Sequence, residues 1–310
     1  GKLIVKDFDD MRIGTTPLSK LYYGHDLIWK REDEETDSGI LIITTTYTNW
    51  FQIPSINTTG VSGTADMGDG KVWGYNNYTI YYEYNYRNNW VIKIDAPFTA
   101  IKDEAFTGDY TRDLIKEIVI PKGVTSIGVT AFFECENLEN VTLPSTLESI
   151  GEGAFQQCTN LTSVIIPDSV TSIGRRAFWR CSSLTSVIIP DSVTSIGTGM
   201  FGNCTSLTSV TIPDSVTSIG ATMFSNCTSL TSVTIPDSVT RIGNSAFYYC
   251  TSLTSIIIPK SVTQIEMSAF ANTGLTSVTI AKNCTYDSRP PHAGSGASFP
   301  PGCVVNRYPD

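Results

Sequence analysis

The chain has 310 residues, 41% of them apolar and only 16% charged, with a net charge of −9 at pH 7. An acidic chain this poor in cations excludes nucleic acid as a partner, because phosphate binding needs a basic patch. The absence of any run of 18 apolar residues excludes a membrane-spanning helix, and the Ser, Thr, Asn, Tyr and Gly that replace the missing charge fit an extracellular β-rich surface.

The chain opens at Gly1 without Met or an apolar leader, as expected of a mature or trimmed form. Residues 1–30 are predicted to form a small β-hairpin module, with Leu21-Tyr-Tyr-Gly-His-Asp-Leu-Ile-Trp29 closing at Gly24, His25 and Asp26. This piece is too small for a core of its own. Residues 31–39 read as an acidic linker, and nothing in it fixes carboxylates in a metal-binding geometry. Residues 40–96 turn to β: Ile40-Leu-Ile-Ile-Thr-Thr-Thr-Tyr47 is rich in β-branched residues, and Asp66-Met-Gly-Asp-Gly70 is a turn between strands. They are expected to form a small antiparallel β-sandwich-like domain that serves as an N-terminal cap for residues 97–281. Its rings, Trp73, Tyr75 and Tyr81 foremost, are candidates for stacking on a glycan. The competing reading is a small domain that uses large rings as its core.

From residue 97 to 281 one phrase recurs. Pro121, Pro144, Pro167, Pro190, Pro213, Pro236 and Pro259 are each 23 residues from the last, and so are the phenylalanines from Phe132 to Phe270. A period in this range means a solenoid. In one rung, Leu161, Val164 and Ile166 point inward while Ser163 and Ile165 point outward, and Pro167 ends the strand. Val170 and Ile173 turn inward again, and Gly174 permits a turn that a Cβ would oppose. Ala177-Phe178-x-x-Cys181 fits one helical or 3₁₀ turn with Phe178 as the large plug.

The cysteines from Cys135 to Cys250 share this phase, so they form one inward column of free thiols rather than disulfides. Cys284 and Cys303 lie off it, and either a bridge or two packed thiols fits them. Residues 282–310 leave the phase and are predicted to be a C-terminal cap, because an exposed end would show bare core and sheet edge.

Function is sought on the outside. The strand positions Ser163, Ser186, Ser209, Ser232 and Ser255, beside Ile165, Ile188, Thr211, Thr234 and Ile257, make a flat, nearly uncharged face suited to an extended or repetitive partner, or simply a solvated face. Asp168, Asp191, Asp214 and Asp237 could be a Ca²⁺ row, but one carboxylate per rung is thin and Pro-Asp-Ser turns account for them. Variation concentrates around the Ala-Phe turn, where Arg175, Arg176, Trp179 and Arg180 crowd one rung and Tyr248 and Tyr249 occupy another. These residue types are enriched at binding hot spots, although long side chains also cover solvated edges. No cofactor or metal is implied. His25 and His292 are the histidines, both in predicted loops, and no nucleophile–base or metal motif accompanies them, which excludes an enzyme.

Three resemblances add to this. The phrase from Ile13 to Trp29 resembles a small module near the ends of phage and prophage tail and surface proteins. The Gly68-Asp-Gly70 turn followed by Tyr84 and Trp90-Val-Ile-Lys-Ile94 resembles a reduced PKD-type immunoglobulin-like sandwich. Leu161-x-x-Val-x-Ile-Pro-x-x-Val-x-x-Ile-Gly-x-x-Ala-Phe-x-x-Cys181 has leucine-rich-repeat spacing and resembles the BspA-like class of bacterial leucine-rich repeats. Met200 and Met223 at the Ala step, Glu266 for Gly and Thr273 for Cys depart from that pattern, at packing positions expected to leave the fold intact. The last resemblance implies a mainly β, right-handed solenoid with a parallel sheet. It also implies an extracellular or cell-surface bacterial protein that binds a host extracellular matrix protein or surface glycan. The alternative, from the first module, is a structural or receptor-binding part of a phage-like tail particle.

Overall fold

A computed structural model describes the backbone of ten strands between residues 12 and 95, and then residues 99–107, 112–288 and 296–309. The chain divides into two units, Gly1–Asp37 and Ser38–Asp310. In the first, Arg12–Ile13 pairs antiparallel with Thr16–Pro17, and Lys20–Tyr23 pairs with Asp26–Lys30 with a bulge between Leu21 and Tyr22.

In the second unit, two strand columns and one turn column repeat. The first column holds Ile115–Val119, Asn140–Thr142, Ser163–Ile165, Ser186–Ile188, Ser209–Thr211 and Ser232–Thr234, paired parallel in that order. Their middle or inward residues are the expected ones: Val164 and Val187 are buried while Ser163, Ile165, Ser186 and Ile188 face solvent. Ile40–Thr45 pairs antiparallel with Ile115–Val119 and, on its other side, with Trp90–Asp95, so Ser62–Asp66 and Val72–Asn76 complete one ten-stranded sheet. Trp50–Gln52 and Tyr81–Glu83 pair separately.

The second column is built of dipeptides such as Ser149–Ile150 and Ser172–Ile173, whose Ser side chains lie outward of a buried Ile. It stops after Ser195–Ile196 and resumes at Ser218–Ile219 as a separate sheet. Between the columns the Pro167 carbonyl accepts the Val170 N–H and closes a β-turn.

The core is a stack of rings. Phe106, Phe132, Phe155, Phe178, Phe201, Phe224, Phe247, Phe270 and Phe299 lie face to face with centroids 4.7 to 5.9 Å apart. Phe299 lies beyond the 23-residue phase, yet it takes its place in the column. The letters after Lys282 abandon the repeat but the backbone does not: Thr285–Tyr286 adds to the second column and Val304–Arg307 pairs parallel with Ser277–Ile280. Arg307 secures this rung by donating to the carbonyls of Ala281, Lys282 and Cys284.

Two local expectations are corrected. Gly151, Gly174 and Gly197 lead into the turns, but what requires a glycine is the rung before: a Cβ at each would lie 2.2 to 2.5 Å from its backbone atoms. The glycine column is there for close approach of backbones. The Ala-Phe segment is likewise neither helical nor 3₁₀, and among the described residues no helix occurs. Its hydrogen bonds explain why, and they also build the site.

Candidate functional site

In a helix every N–H points the same way along the axis. Here alternate N–H groups are sent to the next rung: Arg176 donates to Thr198, Phe178 to Met200 and Arg180 to Gly202. The N–H groups between them close local turns, Trp179 to Arg176 and Cys181 to Phe178. Reversing alternate peptides requires left-handed residues, and each rung from Thr130 to Asn272 supplies two, such as Arg176 (φ 54°) with Arg180 (φ 61°) and Ser245 (φ 53°) with Tyr249 (φ 61°). The turn column is therefore a third ladder, and its side chains stand in rows one rung apart.

On this ladder the predicted edge residues divide into two groups. Arg175, Arg176 and Arg180 are exposed and Trp179 is half-buried. The benzo ring of Trp179 lies against the next rung at Gly202, where a Cβ would come within 2.0 Å of the ring, and it also borders Gly199. Arg176 places its guanidinium carbon 5.5 Å from the ring centroid on its own rung, a cation–π distance. In the sequence the two glycines are bland neighbours. In the fold they are the shelf that lets the indole lie down, and the signal is present in the spacing: each stands 23 positions after an edited residue, Gly199 after Arg176 and Gly202 after Trp179.

Tyr248 and Tyr249 form a separate pair three rungs further on, with ring centroids 5.9 Å apart and Tyr249 46% exposed. The structure does not bring them to the arginine cluster. Trp73 and Tyr75 belong to strand Val72–Asn76, opposite Ala65 and Gly63, whereas Tyr81 pairs with Gln52 in another sheet. The side chains of these three glycan-stacking candidates lie outside the described residues.

The other outward surface is the strand face. Ile165 and Ile188 are 83% and 75% exposed, among serines and threonines that carry no charge, and Ile257, 79% exposed, follows beyond the last strand of the column. The hydroxyls on the flank of the strands are committed to the coil itself: Thr185 donates to Thr162 and Thr208 to Thr185, one rung back each time.

The thiols are interior. Cys158, Cys181, Cys204, Cys227 and Cys250 are buried and free, and each Sγ donates to the Phe carbonyl of the rung before, at 3.1 to 3.2 Å. Cysteine at this position is thus more than a small hydrophobe; it supplies a weak donor. Burial pushes these thiols up from their ordinary value of 9.0, Cys250 to about 12, so they stay protonated and unreactive. Cys284 and Cys303 are also free.

The described residues include an open groove of about 420 Å³ lined by Asn244, Gln264, Glu266 and Asp287 among others, and another of about 460 Å³ lined by Thr125, Ser145, Thr146 and Glu148 among others. In the first, Glu266 is held by Arg241 and by the Asn244 N–H, so the residue that replaces glycine is structurally engaged. Among the described residues no cluster of His, Cys, Asp and Glu could hold a metal, and no helix is long and apolar enough to cross a membrane.

Stacked rungs, a ring-filled core and side chains that vary most on the outside define a parallel-stranded repeat scaffold of the leucine-rich kind. The chain belongs to the BspA type leucine rich repeat family, whose model matches in six copies over residues 99–229 and 171–288. A leucine-rich repeat protein from Bacteroides ovatus is 32% identical over 65% of this chain and 50% of its own, with a TM-score of 0.58. A leucine rich repeat protein of T. pallidum is 30% identical over 51% of this chain and 73% of its own, with a TM-score of 0.48. The chain thus spans half the length of the B. ovatus protein. No curated protein matches the sequence.

Proposed function

We propose that this chain is a non-enzymatic recognition and adhesion protein, displayed at or beyond the cell surface, that holds a protein partner against its strand face. The observation that carries this is Ile165 and Ile188, 83% and 75% exposed on adjacent paired strands among uncharged serines and threonines. A soluble fold has no internal reason to set large apolar side chains in register on its outer face, whereas a partner does. Family membership and the sparsely charged, hydroxyl-rich surface support the location and the class of activity. In this reading residues 40–96 are the cap: pairing of Ile40–Thr45 with Ile115–Val119 covers the strand edge that the first rung would otherwise leave bare. Host extracellular matrix proteins are the partner class to test first.

The test is a binding measurement on a panel of purified matrix proteins, with the double variant Ile165→Glu/Ile188→Glu beside the unmodified chain. Both positions are exposed, so melting should shift little. At least one matrix protein should be retained by the unmodified chain and lost by the variant. Retention that the variant does not weaken, or no retention by any member of the panel, overturns the assignment of the strand face.

A further inference from the structure

Three of the 21 Lys and Arg in a chain with 30 Asp and Glu stand between positions 175 and 180. The other arginines whose side chains are described are all engaged: Arg112 with Glu134, Arg241 with Glu266, and Arg307 with three carbonyls. Arg175, Arg176 and Arg180 have no side-chain hydrogen bond or ion pair among the described residues, and of the three Arg176 has a ring contact, with Trp179. Glu152, the exposed carboxylate one rung before Arg175, makes no ion pair with it. The left-handed backbone at Arg176 and Arg180 says nothing special, since each rung from Thr130 to Asn272 has it. What is special is three unpaired guanidinium groups on one turn, one of them oriented by an indole that is itself seated on Gly202.

We infer that this edge is a second site, apart from the strand face, and that it binds an anionic oligosaccharide through carboxylate or sulfate groups. Guanidinium forks match the planar or tetrahedral oxygens of both anions. The neighbours favour a sugar over an acidic peptide. Gln156 and Asn203, half-buried on the rungs either side, offer amides suited to hydroxyl groups. The backbone here cannot accept an added strand, because the Arg176 and Arg180 N–H groups and the Arg175 carbonyl are already bonded to adjacent rungs. The half-buried Trp179, laid over Gly199 and Gly202, adds an aromatic surface next to the guanidinium groups.

Calorimetric titration of the full chain tests this with four probes of matched length: a heparin oligosaccharide, a hyaluronan oligosaccharide, neutral dextran and an oligoglutamate peptide. The expected result is binding of one or both acidic sugars, weakened by added salt, with no binding of dextran. Heparin without hyaluronan identifies sulfate as the anion; both together identify the carboxylate as sufficient. The Arg175→Gln/Arg176→Gln/Arg180→Gln variant should lose at least about tenfold in affinity with unchanged melting. Should it melt early, Arg176→Lys, which keeps the charge and loses the fork, should still weaken binding several-fold. Equal binding by the variants, binding of dextran, failure of both acidic sugars, or oligoglutamate bound as tightly as either sugar would each overturn the proposal.

Discussion

The rungs around Phe132 and Phe155 and those around Phe201 and Phe224 are written with the same period but are not built with the same spacing. In the first pair Ala131 and Ala154 sit beside the stack, the rings are 5.0 Å apart, and both strand columns pair without interruption. In the second pair buried Met200 and Met223 stand at the alanine step. There the rings open to 5.9 Å, as they do to 5.7 Å between Phe178 and Phe201. On the same level the second column breaks between Ile196 and Ile219, and a Cβ on Gly220 would find its nearest neighbour 3.7 Å away rather than in collision. A methionine carries three more side-chain heavy atoms than alanine into a close-packed interior, and the interior yields by parting rungs. A repeat therefore fixes how many residues make a turn, while one core side chain decides how tightly the turns close.

The largest effect that tests this picture is collective and belongs to the thiol column. Each buried thiol has a folded pKa above its ordinary 9.0. Stability from keeping it neutral is fully present below pH 9 and is lost as pH rises, through about 12 in the case of Cys250. One unit above the unfolded value the loss is about 1.4 kcal/mol per thiol, so calorimetry at pH 8 and pH 10 should show a steep fall. Replacing Cys158 and Cys181 by Ala should flatten that fall by the share of two thiols. A slope that the replacement leaves unchanged would mean that water reaches the column.

Next in size are the rings. Phe155→Ala and Phe201→Ala should each cost about 3–5 kcal/mol in denaturant unfolding, with Phe155 at the upper end because its rung is already tight and cannot collapse further. Equal costs would break the comparison. The double variant Met200→Ala/Met223→Ala sharpens it from the other side. If the methionines are what hold the rungs apart, the coil closes, the variant costs less than the ~2–5 kcal/mol of an unhealed cavity, and the Gly220 amide gains protection from hydrogen exchange. Full cost with no gain in protection would place the cause elsewhere.

Much of this architecture is legible in the sequence, because solenoid periodicity makes each inward letter answer to the same environment. Phe178, Val164, Ile173 and Cys181 are buried as their phase requires. The misreadings share one cause: hydrogen bonds between rungs do not show in the spacing within a rung. Ala-Phe-x-x-Cys has a helical look, yet Phe178 bonds forward to Met200, and the glycine of Ile-Gly is required by the backbone of the rung before as well as by the turn it leads into. Phe299 is hidden because it sits 29 positions after Phe270 by numbering but one rung after it in space. At the site, the arginines and Trp179 are visible as edited letters; that no carboxylate among the described residues pairs with the arginines, and the glycine shelf beneath the indole, need coordinates.

The smallest effect concerns the turn ladder, which treats the tight and the open rungs alike. Thr130 and Thr222 occupy the same left-handed position, at φ 49° and 54°, on either side of the comparison. A β-branched residue is a poor fit there, and relief of the strain is worth about 1–2 kcal/mol. Glycine returns roughly 0.5–1 kcal/mol of that as lost backbone entropy. Thr130→Gly and Thr222→Gly should therefore each stabilise the chain by a few tenths to about 1 kcal/mol, by the same amount within error. Thermal melting of both variants reads this directly. A gain at Thr222 alone would show that the methionine rungs strain the turns as well as the second strand column, and that the opening extends around the whole coil.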